Sequence, residues 1–132
     1  MLTNKILLID DDPEEFDIFC STLTNLDNSL SCIQAYSCKE GFQKLEASQG
    51  LPKYIFVDLN MPGSHGRYCL EKIKKHSAYS SIPVFIYTTS DRNVDKEVTK
   101  RLGAQLYITK PSTEKELKQI LSYVISEEWK FN

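Results

Sequence analysis

Five short apolar runs, Ile6 to Ile9, Leu30 to Tyr36, Tyr54 to Val57, Val84 to Tyr87 and Leu106 to Ile108, begin 24, 24, 30 and 22 residues apart. Each interval holds one helix and two turns, which is the spacing of a βα repeat. The first, third and fourth runs are nearly all apolar and rich in branched or aromatic residues, as expected of central parallel strands covered on both faces. The second, Leu30-Ser31-Cys32-Ile33-Gln34-Ala35-Tyr36, mixes polar and apolar residues and reads as an edge strand.

The segments between the runs carry helix signals. Asp12-Pro13-Glu14-Glu15 sets out an N-cap, a proline at the first helical position and a capping-box glutamate, followed by Phe16, Phe19, Cys20, Leu23 and Leu26 at helical spacing. Ser37-Cys38-Lys39-Glu40 opens a second helix in the same way, with Phe42 and Leu45 facing inward. Thr113-Glu114-Lys115-Glu116 opens the last, whose stripe is Leu117, Ile120, Leu121, Val124 and Ile125. Weaker periodicity predicts helices over about 65–76 and 91–102, the latter closed by Gly103. Strict alternation of strand and helix implies right-handed crossovers and a doubly wound α/β sheet with helices on both faces. At 132 residues the chain matches a single domain, with a core over about 4–126 and a short tail over 127–132.

Composition narrows the functional classes. Sixteen Lys+Arg against 18 Asp+Glu give a net charge of -2, so no broad basic face is available for nucleic acid or anionic lipid. The longest apolar runs have four residues, as in Ile6-Leu7-Leu8-Ile9, far short of the roughly 20 that span a bilayer. The N-terminus shows no signal-peptide pattern, and a cytoplasmic location is expected. Cys20, Cys32, Cys38 and Cys69 contain no Cys-x-x-Cys pair and have only His65 and His76 as possible co-ligands, so reduced packing cysteines are expected. Neither histidine has a Ser or Cys nucleophile with a paired acid around it, and both read as solvated residues.

In open α/β sheets ligands bind beyond the carboxyl ends of the strands. Here the first run ends in Asp10-Asp11, the third in Asp58, the fourth in Thr88-Thr89 and the fifth in Thr109-Lys110-Pro111. Taken singly, each is an ordinary turn residue, and Asp12 is best explained as a cap. Taken together they place three carboxylates, a hydroxyl and an ammonium at one edge. Two carboxylates about 5 Å apart repel by roughly 3 kcal/mol at an effective dielectric of about 20, so a cation should offset them. One Mg²⁺ and one lysine neutralise three carboxylates, and that combination suits phosphoryl transfer to Asp58 as nucleophile.

Leu7-Leu8-Ile9-Asp10-Asp11-Asp12, Val57-Asp58-Leu59-Asn60-Met61-Pro62-Gly63, Tyr87-Thr88 and Thr109-Lys110-Pro111, in that order, closely resemble the receiver domains of two-component response regulators, including single-domain chemotaxis-type receivers. The resemblance covers essentially the whole chain. It implies a flavodoxin-like five-stranded parallel sheet of order 2-1-3-4-5. It also implies that Asp58 accepts the phosphoryl group and that Asp10, Asp11, Asp58 and the Asn60 carbonyl hold Mg²⁺. Thr88 would hydrogen-bond the phosphoryl group, Lys110 would pair with it across a cis Lys110–Pro111 bond, and Thr88 and Tyr107 would form the switch.

The implied partners are a sensor histidine kinase or histidine phosphotransfer protein and a downstream protein effector. The protein would act as a monomer or weak dimer, with no nucleic acid or membrane bound. It would be a phosphoacceptor with self-catalysed phosphotransfer and autodephosphorylation only, not an enzyme acting on other substrates. Thr89 stands where relatives usually carry a smaller residue, Ser112 where many have Phe, and His65 where an acidic residue is often found.

A haloacid-dehalogenase-type phosphatase needs a second Asp where this chain has Asn60, and a flavodoxin-like electron carrier needs a hydroxyl- and Gly-rich loop where it has Asp10-Asp11-Asp12-Pro13. The alternative that remains is a receiver-like interaction module that works without phosphorylation. Three mutually repelling carboxylates weigh against it.

Overall fold

The computed structural model describes residues 3–61 and 64–131, without the side chains of Ser64 and His65. Pro62 and Gly63 of the acidic-loop motif, and the His65 side chain, lie outside what is described. Five strands, β1 (Lys5–Ile9), β2 (Ser31–Ala35), β3 (Tyr54–Val57), β4 (Val84–Thr88) and β5 (Leu106–Thr109), form one parallel sheet in the order β2-β1-β3-β4-β5. Between and after them run α1 (Pro13–Leu26), α2 (Cys38–Ala47), α3 (Gly66–Lys75), α4 (Asn93–Arg101) and α5 (Glu114–Ser126). This is the flavodoxin-like doubly wound arrangement. The mixed second run is indeed an edge strand.

Period-two alternation divides each strand between two cores. Ile6, Leu8, Tyr54, Phe56, Phe85 and Tyr87 face α1 and α5, where they meet Phe19, Leu23, Leu117, Leu121 and Val124. Leu7, Ile9, Ile55, Val57, Val84 and Ile86 face the other side and pack with Phe42, Leu45, Cys69, Leu70 and Ile73 of α2 and α3. The first core is aromatic, with edge-to-face pairs such as Phe19–Phe56 at 4.9 Å, while the second is mostly aliphatic. All three capped helices begin where the sequence placed them. Asp12, Ser37 and Thr113 accept hydrogen bonds from the first-turn amides of α1, α2 and α5. Gly103, at φ +102°, ends α4 and donates its N–H to the Lys100 carbonyl.

Two features have no counterpart in the sequence pattern. Asn60–Met61 pairs antiparallel with Ser64–His65 in a short hairpin that leads straight into α3. After α5, Glu127 adopts a left-handed conformation (φ 59°) and turns the chain into a 3₁₀ turn, Glu128–Phe131. That turn lays Trp129, only 4% exposed, against Tyr54 and Phe85, with its indole N–H on the Val124 carbonyl at 2.9 Å. Among the described residues no helix is long and apolar enough to cross a membrane.

Candidate functional site

The parallel register brings the strand ends to one level. Ile9 pairs with Val57 and Val57 with Ile86, while the Asp58 amide bonds the Ile9 carbonyl at 3.0 Å. Asp10 and Asp58, each one residue past its strand, therefore emerge side by side. On the far side, Thr88 pairs with Thr109, and the Lys110 amide bonds the Thr88 carbonyl at 2.7 Å. That clamp starts the lysine side chain back toward the two acids.

The ammonium closes the site. Lys110 Nζ lies 2.9 Å from Asp10 Oδ2 and 3.1 Å from Asp58 Oδ2, and it also pairs with Glu15 Oε2. Its flank is covered by the Tyr87 ring, 5.5 Å away. Asp10 is fully buried and Asp58 is 5% exposed. The lysine side chain is 9% exposed. Carboxylate oxygens of Asp10, Glu15 and Asp58 all lie within 4.8 Å of one another.

Burial pushes the Asp10 carboxyl up to about 6, against the lowering pull of its hydrogen bond to Lys110. Burial alone would lower the Lys110 ammonium. The hydrogen bonds that the ammonium donates to Glu15 and Asp10, together with the carboxylate charges, outweigh it and hold the group above its ordinary range. Burial also raises the Tyr87 phenol to about 12. Three carboxylates against one ammonium leave the pocket electron-rich and lined by oxygen donors, which is the donor set a hard divalent cation takes.

A second layer of bonds sets the orientation of the acceptor. The Asn60 N–H holds Asp58 Oδ1 at 3.1 Å while Lys110 holds Oδ2, so both carboxylate oxygens are fixed. The Asn60 side-chain amide donates to Thr88 Oγ1 at 3.2 Å and Thr89 Oγ1 at 3.3 Å, bridging the acid loop to the end of β4. Gly66 lets α3 start against this loop. A Cβ there would stand 2.4 Å from the Asp58 carbonyl oxygen and 2.6 Å from Leu59 Cα.

Of the residues singled out in the sequence, Asp10, Asp58, Asn60, Thr88 and Lys110 come together. Asp11 is exposed and lies outside the carboxylate cluster. Tyr107 is half-buried on β5, its hydroxyl donating to the Ser90 carbonyl at 2.8 Å. His76 is exposed just past α3 and stacks on Tyr79 at 4.2 Å, away from the acids. The Lys110–Pro111 bond is not cis, contrary to expectation. The trans form of an X–Pro bond is favoured by about 0.5–1 kcal/mol, and the lysine already reaches Asp10 and Asp58 from it.

Glu15 stands at the capping-box position of α1 but takes another role. The Asp12 N–H that it would have capped is held instead by Asp10 Oδ1 at 3.0 Å, which leaves the Glu15 carboxylate to turn toward Lys110. Asp95, 6% exposed, was also unforeseen. It accepts from Ser90 Oγ at 2.6 Å and pairs with Arg67 at 3.2 Å, tying the loop after β4 to α3 and α4. Ser90 in turn donates its N–H to Thr88 Oγ1 at 3.4 Å, so one short chain of bonds runs from the acid pocket to Tyr107 and α4.

Comparison with known proteins shows the family and the fold. A family model described as the response regulator receiver domain matches residues 6–122. Protein PilH of Pseudomonas aeruginosa is 32% identical over 122 residues, spanning 92% of this chain and 98% of that protein. Among solved structures, the phosphorylated cyanobacterial phytochrome response regulator RcpA superposes with a TM-score of 0.85 at 28% identity, over 96% of this chain and 94% of its own. The Mn(2+)-bound form of response regulator Rcp1 gives 0.81 at 25% identity, over 93% and 92%.

Proposed function

Because the chain belongs to the response regulator receiver-domain family, we propose that it works as a Mg²⁺-dependent phosphoacceptor, taking a phosphoryl group onto Asp58 from a histidine kinase or phosphotransfer protein. The observation that carries this reading is the Lys110 ammonium, on a side chain only 9% exposed, bonded to both Asp10 and Asp58 at the carboxyl ends of three strands. An Asp58 carboxylate oxygen forms the new bond to phosphorus as the bond to the donor atom breaks, and the electron pair leaves with the donor. RcpA has been captured phosphorylated and Rcp1 with Mn(2+), which supports both parts of the chemistry.

The residues of this chain have separable duties. Asn60 N–H and Lys110 fix the acceptor carboxylate, so no rotamer search precedes attack. The Thr88 hydroxyl accepts from the Asn60 amide and the Ser90 N–H, which leaves its own proton free to donate to a phosphoryl oxygen. Lys110 supplies the positive charge that the equatorial oxygens need. Asp10, Asp58 and the Asn60 carbonyl would hold the metal, with Asp11, which is exposed outside the carboxylate cluster, contributing through water; when bound, the metal would neutralise charge on the acceptor and the incoming group. Donation from Thr88 draws on the bonds that link it through Ser90 to Tyr107, and the face of α4, β5 and α5 then changes for a protein effector. Action in the cytoplasm as a monomer or weak dimer fits this role.

The test is direct. Incubation with Mg²⁺ and acetyl phosphate should add the mass of one phosphoryl group to the wild type and nothing to Asp58→Asn. A wild type that gains no mass with Mg²⁺ present would favour the phosphorylation-independent interaction module.

A further inference from the structure

An ammonium offers three N–H donors, and all three directions at Lys110 are taken by carboxylates: Asp10, Asp58 and Glu15. If Lys110 is to meet a phosphoryl oxygen on Asp58, one of these partners must let go. Asp10 is fully buried, and its second oxygen is fixed by the Asp12 N–H. Asp58 is the acceptor itself and is held by the Asn60 N–H. Glu15 differs in kind. It sits in the first turn of α1 at the mouth of the site, its side chain is 35% exposed, and Asp10 has relieved it of capping duty.

We infer that Glu15 is an internal counter-anion, occupying Lys110 in the resting protein and yielding it to the phosphoryl group, so that it restrains phosphate uptake. The inference rests on the phosphoacceptor reading above and deepens it. Glu15 acts in two ways, by holding the cation that the transferred group needs and by presenting a like charge to an anionic donor. With small phosphodonors the new bond is Asp58 O–P, the bond broken is the donor's P–O, and acetate leaves with the electron pair when acetyl phosphate is used. Nothing is oxidised or reduced, and Glu15 exchanges only an ion pair.

The experiment compares wild type with Glu15→Gln, which keeps the shape and removes the charge. Uptake from acetyl phosphate at saturating Mg²⁺ is followed by intact-protein mass, and Mg²⁺ binding without donor is measured by calorimetry. A like charge within about 5 Å, partly screened, corresponds to roughly a tenfold faster uptake for E15Q at low ionic strength. That advantage should shrink as salt rises toward 1 M. Mg²⁺ affinity of E15Q should fall by less than about a hundredfold, since a neighbouring charge is lost but no coordinating oxygen. Uptake that is equal or slower in E15Q, beside a wild type that is phosphorylated, overturns the inference alone. A loss of Mg²⁺ affinity beyond that bound overturns it by making Glu15 a metal ligand. A wild type that takes up nothing removes the phosphoacceptor reading and this one with it.

Discussion

Asp10 is fully buried, and its carboxyl is raised from 3.8 to about 6 chiefly by burial. The native protein therefore binds a proton there more tightly than the unfolded chain does. For an acid shifted in this direction, stability is highest below pH 4, falls as pH rises from about 4 to 6, and is level above that. The displacement, at about 1.4 kcal/mol per pH unit, amounts to about 3 kcal/mol at pH 7 in metal-free protein. Asp10→Asn keeps an oxygen for the Asp12 N–H but carries no charge, so the mutant should be more stable than wild type by about 2–3 kcal/mol at pH 7 in EDTA and equal to it near pH 4. Urea unfolding from pH 4 to 8 in EDTA measures both curves, and their difference isolates Asp10 from other titrating groups. Saturating Mg²⁺ should reverse the order at pH 7, because it stabilises only the protein that binds it. Parallel curves for the two proteins across pH 4 to 6 would refute the assignment of a strained, desolvated carboxylate at this position.

Gly66→Ala should destabilise the protein by about 2–3 kcal/mol in urea titrations, because its Cβ would meet the backbone of Asp58 and Leu59. Lys110→Met should cost about 3 kcal/mol or more in EDTA at pH 7 by leaving Asp10 and Asp58 without their cation, with much of the loss recovered on adding Mg²⁺. Trp129→Ala should cost about 3–5 kcal/mol and lower the circular-dichroism melting temperature by roughly 10 °C or more, although the chain beyond α5 is short.

Much of the fold was legible because its signals are local. Parallel central strands must be apolar on both faces, so Ile6–Ile9, Tyr54–Val57 and Val84–Tyr87 announce themselves as uninterrupted runs. Caps at Asp12, Ser37 and Thr113 act within one turn, and those three helix starts came out where expected. The polar residues at the strand ends were equally visible, since topology alone sends them to one edge. What escaped depends on distant partners or short pairings. Glu15 chooses between an amide three residues back and an ammonium 95 residues on, and that choice turns on Asp10 having already claimed the amide. Asp95 looks like any first-turn acid until Arg67 and Ser90 close over it. The Asn60–Met61 hairpin has too few residues to show a period. Trp129 joins the core only because Glu127 bends the chain back, and two aromatics, Trp129 and Phe131, in so short a segment give no periodic signal.

The placement of that tryptophan also determines what light can report. It is the sole tryptophan of the chain, and it rests on Tyr54 and Phe85 near the amino ends of β3 and β4, at the opposite rim of the sheet from Asp58. Its emission will therefore follow cooperative unfolding faithfully while staying silent to metal and phosphoryl occupancy. A fluorophore for the acid rim has to be introduced, and the native indole then serves as an internal standard in the same cuvette.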